Sequence, residues 1–180
     1  MMEIKESQQG GIGDVGYYLP KAFLGRPTLD GRPNQMSRVT PYYKDMDAMK
    51  GIGVESLPKV ARLAIPYEGA PIIVDIYKRQ NKAGMTDYFV AGDDFTEPYA
   101  KHDMLRPLEA IREAVALNVA ADVLIQMGEI KPDFIFMSDW QSGLLWAYLE
   151  ESVNEPDALL RRVRVEVPGP GLVEFSLPAG

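Results

Sequence analysis

The feature that most constrains the fold is a long helical stripe followed by a short apolar run. Between Asp103 and Met127, the residues Leu105, Leu108, Ile111, Val115, Val119, Val123 and Met127 recur at spacings of three and four. That period puts them on one face of an α-helix, which predicts a core-facing element. Asp103 offers a carboxylate to the free N–H groups of the first turn, Pro107 suits that turn, and Gly128 suits the end. After Lys131-Pro132-Asp133 comes Phe134-Ile135-Phe136-Met137, then a turn over 138–143 and a second helix over about 144–152. A short apolar run after a long helix predicts a buried parallel strand. The sequence of helix, strand, turn and helix belongs to α/β folds, whose ligands sit beyond the carboxyl ends of the strands. The turn after Met137 lies on that edge.

The first half supplies the remaining elements. Gly10-Gly11-Ile12-Gly13-Asp14-Val15-Gly16 is a glycine-rich turn, and Val15, Tyr18, Leu19 and Phe23 follow near helical spacing. Asp14 is the N-cap expected for that helix, and Pro20 is expected to kink or shorten it. The segment 25–34 is rich in Gly, Pro and Asp and reads as a loop. Arg38 to Tyr43 reads as a short strand running into a turn. Val60 to Tyr67, Pro71 to Tyr77 and Thr86 to Ala91 carry β-branched and alternating apolar residues and read as three more strands. The tail over 151–180 adds two β-like segments, Arg162 to Val167 and Leu172 to Leu177.

Composition excludes several classes. The 180 residues fit a single domain spanning 1–180, and 46% hydrophobic with 25% charged residues is ordinary for a globular chain. There is no cysteine, which removes thiolate catalysis, disulfides and cysteine zinc sites, and suits a cytoplasmic location. The net charge of -7 disfavours nucleic acid and anionic membranes as partners. No apolar run approaches a membrane span, and Met1 to Glu6 has no signal-peptide core. No metal or cofactor pattern is present. The single histidine, His102, has no partner pattern and reads as a filler.

Three segments, in order, resemble the N-terminal domain of bacterial glycogen and starch synthases, two-domain glycosyltransferases of the GT-B type. Gly10-Gly11-Ile12-Gly13-Asp14-Val15 with Leu19-Pro20-Lys21-Ala22 is similar to the family's K-x-G-G-L-G-D-V loop and the helix after it. Arg38-Val39-Thr40-Pro41-Tyr42-Tyr43 resembles its R-V-x-x-P-x-Y strand. Pro132-Asp133 through Asp139-Trp140-Gln141-Ser142-Gly143-Leu144-Leu145, with Ala147-Tyr148-Leu149, resembles P-D-x-x-H-x-H-D-W-Q-T-G-L-x-P-A-Y-L. The stretch Asp87 to Phe95 is similar to the family's Y-F-I-D-x-x-D-Y-F. The likeness covers about 8–150 and fades in the tail.

This resemblance implies a Rossmann-like, mostly parallel sheet flanked by helices. It also implies transfer of glucose from a nucleotide sugar, ADP-glucose or UDP-glucose, to an α-glucan. Carried over by motif, Asp14 and Asp139 are the expected catalytic residues. Gln8, Gly10, Gly11, Gly13, Asp14, Trp140 and Gln141 are the expected substrate contacts. The chemistry fits: glycines admit a sugar or pyrophosphate close to the backbone, and N–H groups at a helix start favour negative charge.

The sequence also departs from the family pattern. Gln8 stands where the family has lysine, and Phe136 and Ser138 stand where it has two histidines. The resemblance further implies a second domain carrying most nucleotide contacts. The expectation is therefore a half-enzyme inactive alone, completed by a missing domain or covered in a homodimer. The alternative is a non-catalytic glucan- or sugar-nucleotide-binding regulatory domain. A third reading is an α/β scaffold without ligand.

Plainer roles stand beside each of these. Asp14 and Asp139-Trp140 equally suit helix caps and a packed ring, and Lys21 a solvated helix face. Asp93-Asp94 and Glu150-Glu151 suit a turn and a helix surface. Arg161, Arg162 and Arg164 suit a solvated strand face.

Overall fold

The computed structural model describes residues 11–28, 30–82, 84–95, 107–138, 142–155 and 162–169. Five strands form one sheet: β1 (Ser37–Pro41), β2 (Lys59–Ile65), β3 (Ile72–Gln80), β4 (Thr86–Gly92) and β5 (Arg164–Glu166). Their spatial order is β1-β4-β3-β2-β5. The helices are α1 (Gly11–Leu24), α2 (Asp47–Lys50), α3 (Pro107–Gln126) and α4 (Gly143–Asn154), with a 3-10 turn at Val54–Ser56. No helix among the described residues is long and apolar enough to cross a membrane.

The fold is α/β as the sequence implied, but the sheet is mixed and not mostly parallel. Only β1 and β4 run parallel. The pairs β3–β4, β2–β3 and β2–β5 are antiparallel. Loop length explains this. The chain has six residues, 66–71, to go from β2 to β3, and five, 81–85, from β3 to β4. A parallel connection needs a crossover of roughly a dozen residues or more, so these strands must fold back as hairpins. Asn81 tightens the second hairpin: its N–H donates to the Met85 carbonyl at 2.9 Å, and its side-chain oxygen accepts the Met85 N–H at 3.1 Å.

The two sheet faces bury different things. Alternate residues Ile72, Val74 and Ile76 of β3, with Tyr88 and Val90 of β4, join Leu63 and Val165 in the main core. α3 covers this face, and α4 packs on α3 in turn. The contact side of α3 is lined by Ala116, Val119, Ala120, Val123 and Leu124. On the opposite face Tyr77 and Phe89 pack with Tyr42, Met49 and Val54 from the segment after β1.

Several expectations need correction. α1 begins at Gly11, so Asp14 lies inside the helix and is not its N-cap. The helix runs through Pro20 to Leu24 and is not shortened there. In α3 the predicted stripe holds from Val115 onward, but Leu108 (73% exposed) and Ile111 face outward. Early in the helix the buried side passes through Ala110, Glu113 and Ala114 instead. Phe134 to Met137 is not a buried strand: it joins no ladder, and Phe134 is 79% exposed. Composition favoured a strand, but a strand exists only where a neighbour supplies ladder hydrogen bonds, and no described strand does so here. Asp103 and Leu172 to Leu177 lie outside the described residues.

Other expectations match. Pro107 opens α3, where its missing N–H costs nothing. Gly128 ends it with φ 73°, and the Ile130 N–H reaches back to the Leu124 carbonyl at 3.1 Å. That is a left-handed cap, which favours glycine.

One close approach gives a test. A Cβ on Gly92 would lie 2.7 Å from the Ile73 carbonyl oxygen, a backbone atom that cannot swing away. Gly92→Ala should destabilise the fold by roughly 1–3 kcal/mol through overpacking. Gly143→Ala, whose Cβ meets nothing within 4 Å, should cost little or stabilise slightly. Urea unfolding of both variants measures the contrast, and equal midpoints would refute the packing argument.

Candidate functional site at the carboxyl ends of the parallel strands

Because β1 and β4 run the same way, their carboxyl ends share one rim of the sheet. In open α/β sheets this is where ligands bind. The chain leaving β1 is Tyr42-Tyr43-Lys44, and the chain leaving β4 is Asp93-Asp94-Phe95. Backbone bonds tie the two exits together. The Tyr42 N–H donates to the Val90 carbonyl at 2.8 Å, and the Lys44 N–H donates to the Phe95 carbonyl at 3.3 Å. The Tyr43 and Phe95 rings meet edge to face, centroids 6.2 Å apart.

Charged side chains decorate this rim. Lys44 Nζ lies 3.6 Å from Asp93, which is fully exposed. Arg112 of α3 donates to both carboxylate oxygens of Asp94, at 3.4 and 3.2 Å, and stacks over the Tyr67 ring at 5.0 Å. Beneath them lies Glu113, 1% exposed, which accepts a hydrogen bond from the Tyr43 hydroxyl at 3.4 Å. Burial pushes the Glu113 carboxyl up to about 8; the Tyr43 hydroxyl opposes this, and Asp94 and Glu109 add to it. Glu113 is therefore a mostly neutral acid at pH 7, a polar post under the exits of β1 and β4. The rim presents exposed carboxylates and cations above buried aromatic rings.

Most of the sequence-derived site residues are not among the described residues. Gln8, Gly10, Asp139, Trp140 and Gln141 lie outside the described residues, as does His102. Gly11, Gly13 and Asp14 belong to the first turns of α1. Just before α4, the Ser142 hydroxyl donates to the Ser138 carbonyl at 2.9 Å. Phe136, where the family pattern has a histidine, is exposed. Tyr43, Arg112 and Glu113 were not singled out from sequence. The signal that could have found Glu113 was an acidic residue between Ala110 and Ala114 on the apolar side of a long helix.

The comparison with known families decides the kinship. The family model for the starch synthase catalytic domain matches residues 2–166. The chain belongs to that family. No solved structure matches it. That family implies nucleotide sugar and glucan as the substrate class. No group of three or more potential metal ligands occurs among the described residues.

The Glu113 post yields a pH prediction. A carboxyl raised in the folded state binds its proton more tightly there than in the unfolded chain. Its contribution to stability is full below about pH 4.5 and is lost as pH rises through about 8. Glu113→Gln should flatten that loss, with a gain on the order of a few kcal/mol at pH 8 relative to pH 4.5. Urea unfolding of wild type and variant across this range measures it. Parallel pH profiles would show that Glu113 is ionised in the fold.

Proposed function

We propose that this chain is the N-terminal, Rossmann-like half of a glycogen or starch synthase of GT-B architecture. It contributes to moving glucose from ADP-glucose or UDP-glucose to an α-glucan. The observation that carries the reading is the family match over residues 2–166, which spans both the glycine-rich and tryptophan-bearing motifs. In this reading the turn at Gln8, Gly10, Gly11 and Gly13 admits the sugar nucleotide close to the backbone. The start of α1 turns N–H groups and a positive dipole end toward phosphate. Asp14 and Asp139 act on sugar hydroxyls at the reacting centre, and Trp140 and Gln141 hold the glucose units.

Transfer with retention breaks the bond between glucose C1 and the pyrophosphate and passes through an oxocarbenium-like state. Cations and fixed donors must stabilise the departing phosphate. Gln8 supplies no charge there, and Phe136 and Ser138 supply no imidazole. We therefore infer that the 180 residues alone bind substrate weakly and transfer little, with a second domain or second copy closing the site in the cytoplasm. The same three substitutions favour a second reading, a domain that holds glucan without catalysis.

Calorimetry of the chain with ADP-glucose, UDP-glucose and maltoheptaose separates these. The first reading expects a nucleotide sugar to bind with a Kd on the order of millimolar, weakened about tenfold in Asp14→Asn. Maltoheptaose binding without either nucleotide sugar would select the second reading. Heat from none of the three would sink both.

A further inference from the structure

We propose a phosphate-binding site on the opposite end of the sheet, formed by Arg38 and Arg79 around Asp87. The register of three adjacent strands builds it. Arg38 of β1 and Arg79 of β3 both lie directly opposite Asp87 of β4. Arg38 donates to Asp87 Oδ1 from Nη2 at 2.7 Å and from Nε at 3.1 Å. Arg79 Nη2 donates to Oδ2 at 3.0 Å. Asp87 is fully buried, so both guanidinia are held in fixed positions by one carboxylate. The cluster therefore keeps one uncompensated positive charge.

Two further features point to an anion, beside an Arg79 guanidinium that lies over the Phe89 ring at 5.0 Å with its Nε buried and donating no hydrogen bond among the described residues. Arg38 and Arg79 keep 20% and 27% of their side chains exposed, so a small ion can reach their outer edges. The next cluster on the same face repeats the imbalance: Lys59 at 3.0 Å and Arg62 at 3.9 Å share the single carboxylate of Asp75. With Arg164 and Glu166 of β5, which pair on the same face beside Arg62, these clusters gather five cations on three carboxylates in a chain whose net charge is -7. The guanidinium N–H groups left outside Asp87 can donate to phosphate oxygens, and guanidinium carries little hydration to lose.

The site is separate from the rim described above. Arg38 and Asp87 are the second residues of their strands, at the amino ends of β1 and β4. An anion here touches neither Tyr43 nor Asp94, and the proposal stands whether or not the chain takes part in glucosyl transfer. A phosphate at this point pins three strands together and favours the folded sheet by mass action.

The test is an NMR titration of the guanidinium Nε–H resonances of Arg38 and Arg79 with inorganic phosphate, at ionic strength matched with chloride. The expected result is a saturable shift of the Arg79 signal, with half-saturation on the order of millimolar, and no such shift with chloride. Arg79→Lys keeps the charge but loses the fork, and should raise the half-saturation, read on Arg38, about tenfold. Arg38→Lys, read on Arg79, provides the same comparison should the first variant fail to fold. ADP in a parallel titration separates the sources. Tighter shifts with ADP than with phosphate assign a nucleotide phosphate, and weaker ones assign free phosphate. Shifts that stay linear, or that chloride reproduces, overturn the site.

Discussion

The structure turns on β4. This strand accepts a parallel neighbour, β1, on one side and an antiparallel neighbour, β3, on the other. Tyr88, Phe89 and Val90 are buried in succession, so it contributes to the core on both faces. A strand buried on both faces reads as a continuous apolar run, and this one does. Its first half carries one charge inward, Asp87, which is tolerable only because two arginines meet it from the flanking strands. Its last residue, Gly92, lies so near β3 that a side chain would strike the backbone. Everything that places a rim on this molecule follows from β4: where β1 ends, where Asp94 sits, and where α3 begins its path over the sheet.

How much of this was legible in the sequence depended on whether the cause was local. β-branched runs between turn residues marked β2, β3 and β4, and the ends of α3 could be read from Pro107 and Gly128, because propensities and caps act within a few residues. Pairing direction needed a second step, counting the residues between strands, and the short connections at 66–71 and 81–85 were there to count. Phe134 to Met137 was misread because its composition reports strand propensity and not the presence of a neighbouring edge. Leu108 and Ile111 were misplaced because a helix crossing a sheet changes its buried side along its length. Glu113 left only a faint signal, its place between Ala110 and Ala114, because the apolar stripe itself pointed to Leu108 and Ile111.

The candidate site shows the same division. The glycine-rich and tryptophan-bearing motifs were recognisable because they keep the family's residue types and order, and the family match over 2–166 covers the same stretch of chain. Arg112 and Glu113 carry no such motif, and Tyr43 ends one that says nothing of its partners; the fold alone brings them to one place. The Arg38–Asp87–Arg79 ladder likewise exists only through register: nothing in the sequence pairs residues 38, 79 and 87 until three strands align them.

The central claim is that ligand chemistry concentrates where β1, β4 and the start of α1 end or begin. Hydrogen exchange of backbone amides, with and without ADP-glucose and maltoheptaose, addresses it directly. The account predicts slowed exchange at residues 8–16, 42–45 and 92–95 on adding ligand, while β2 and β5 stay unchanged. Protection confined to other segments, or none with either ligand, would contradict it.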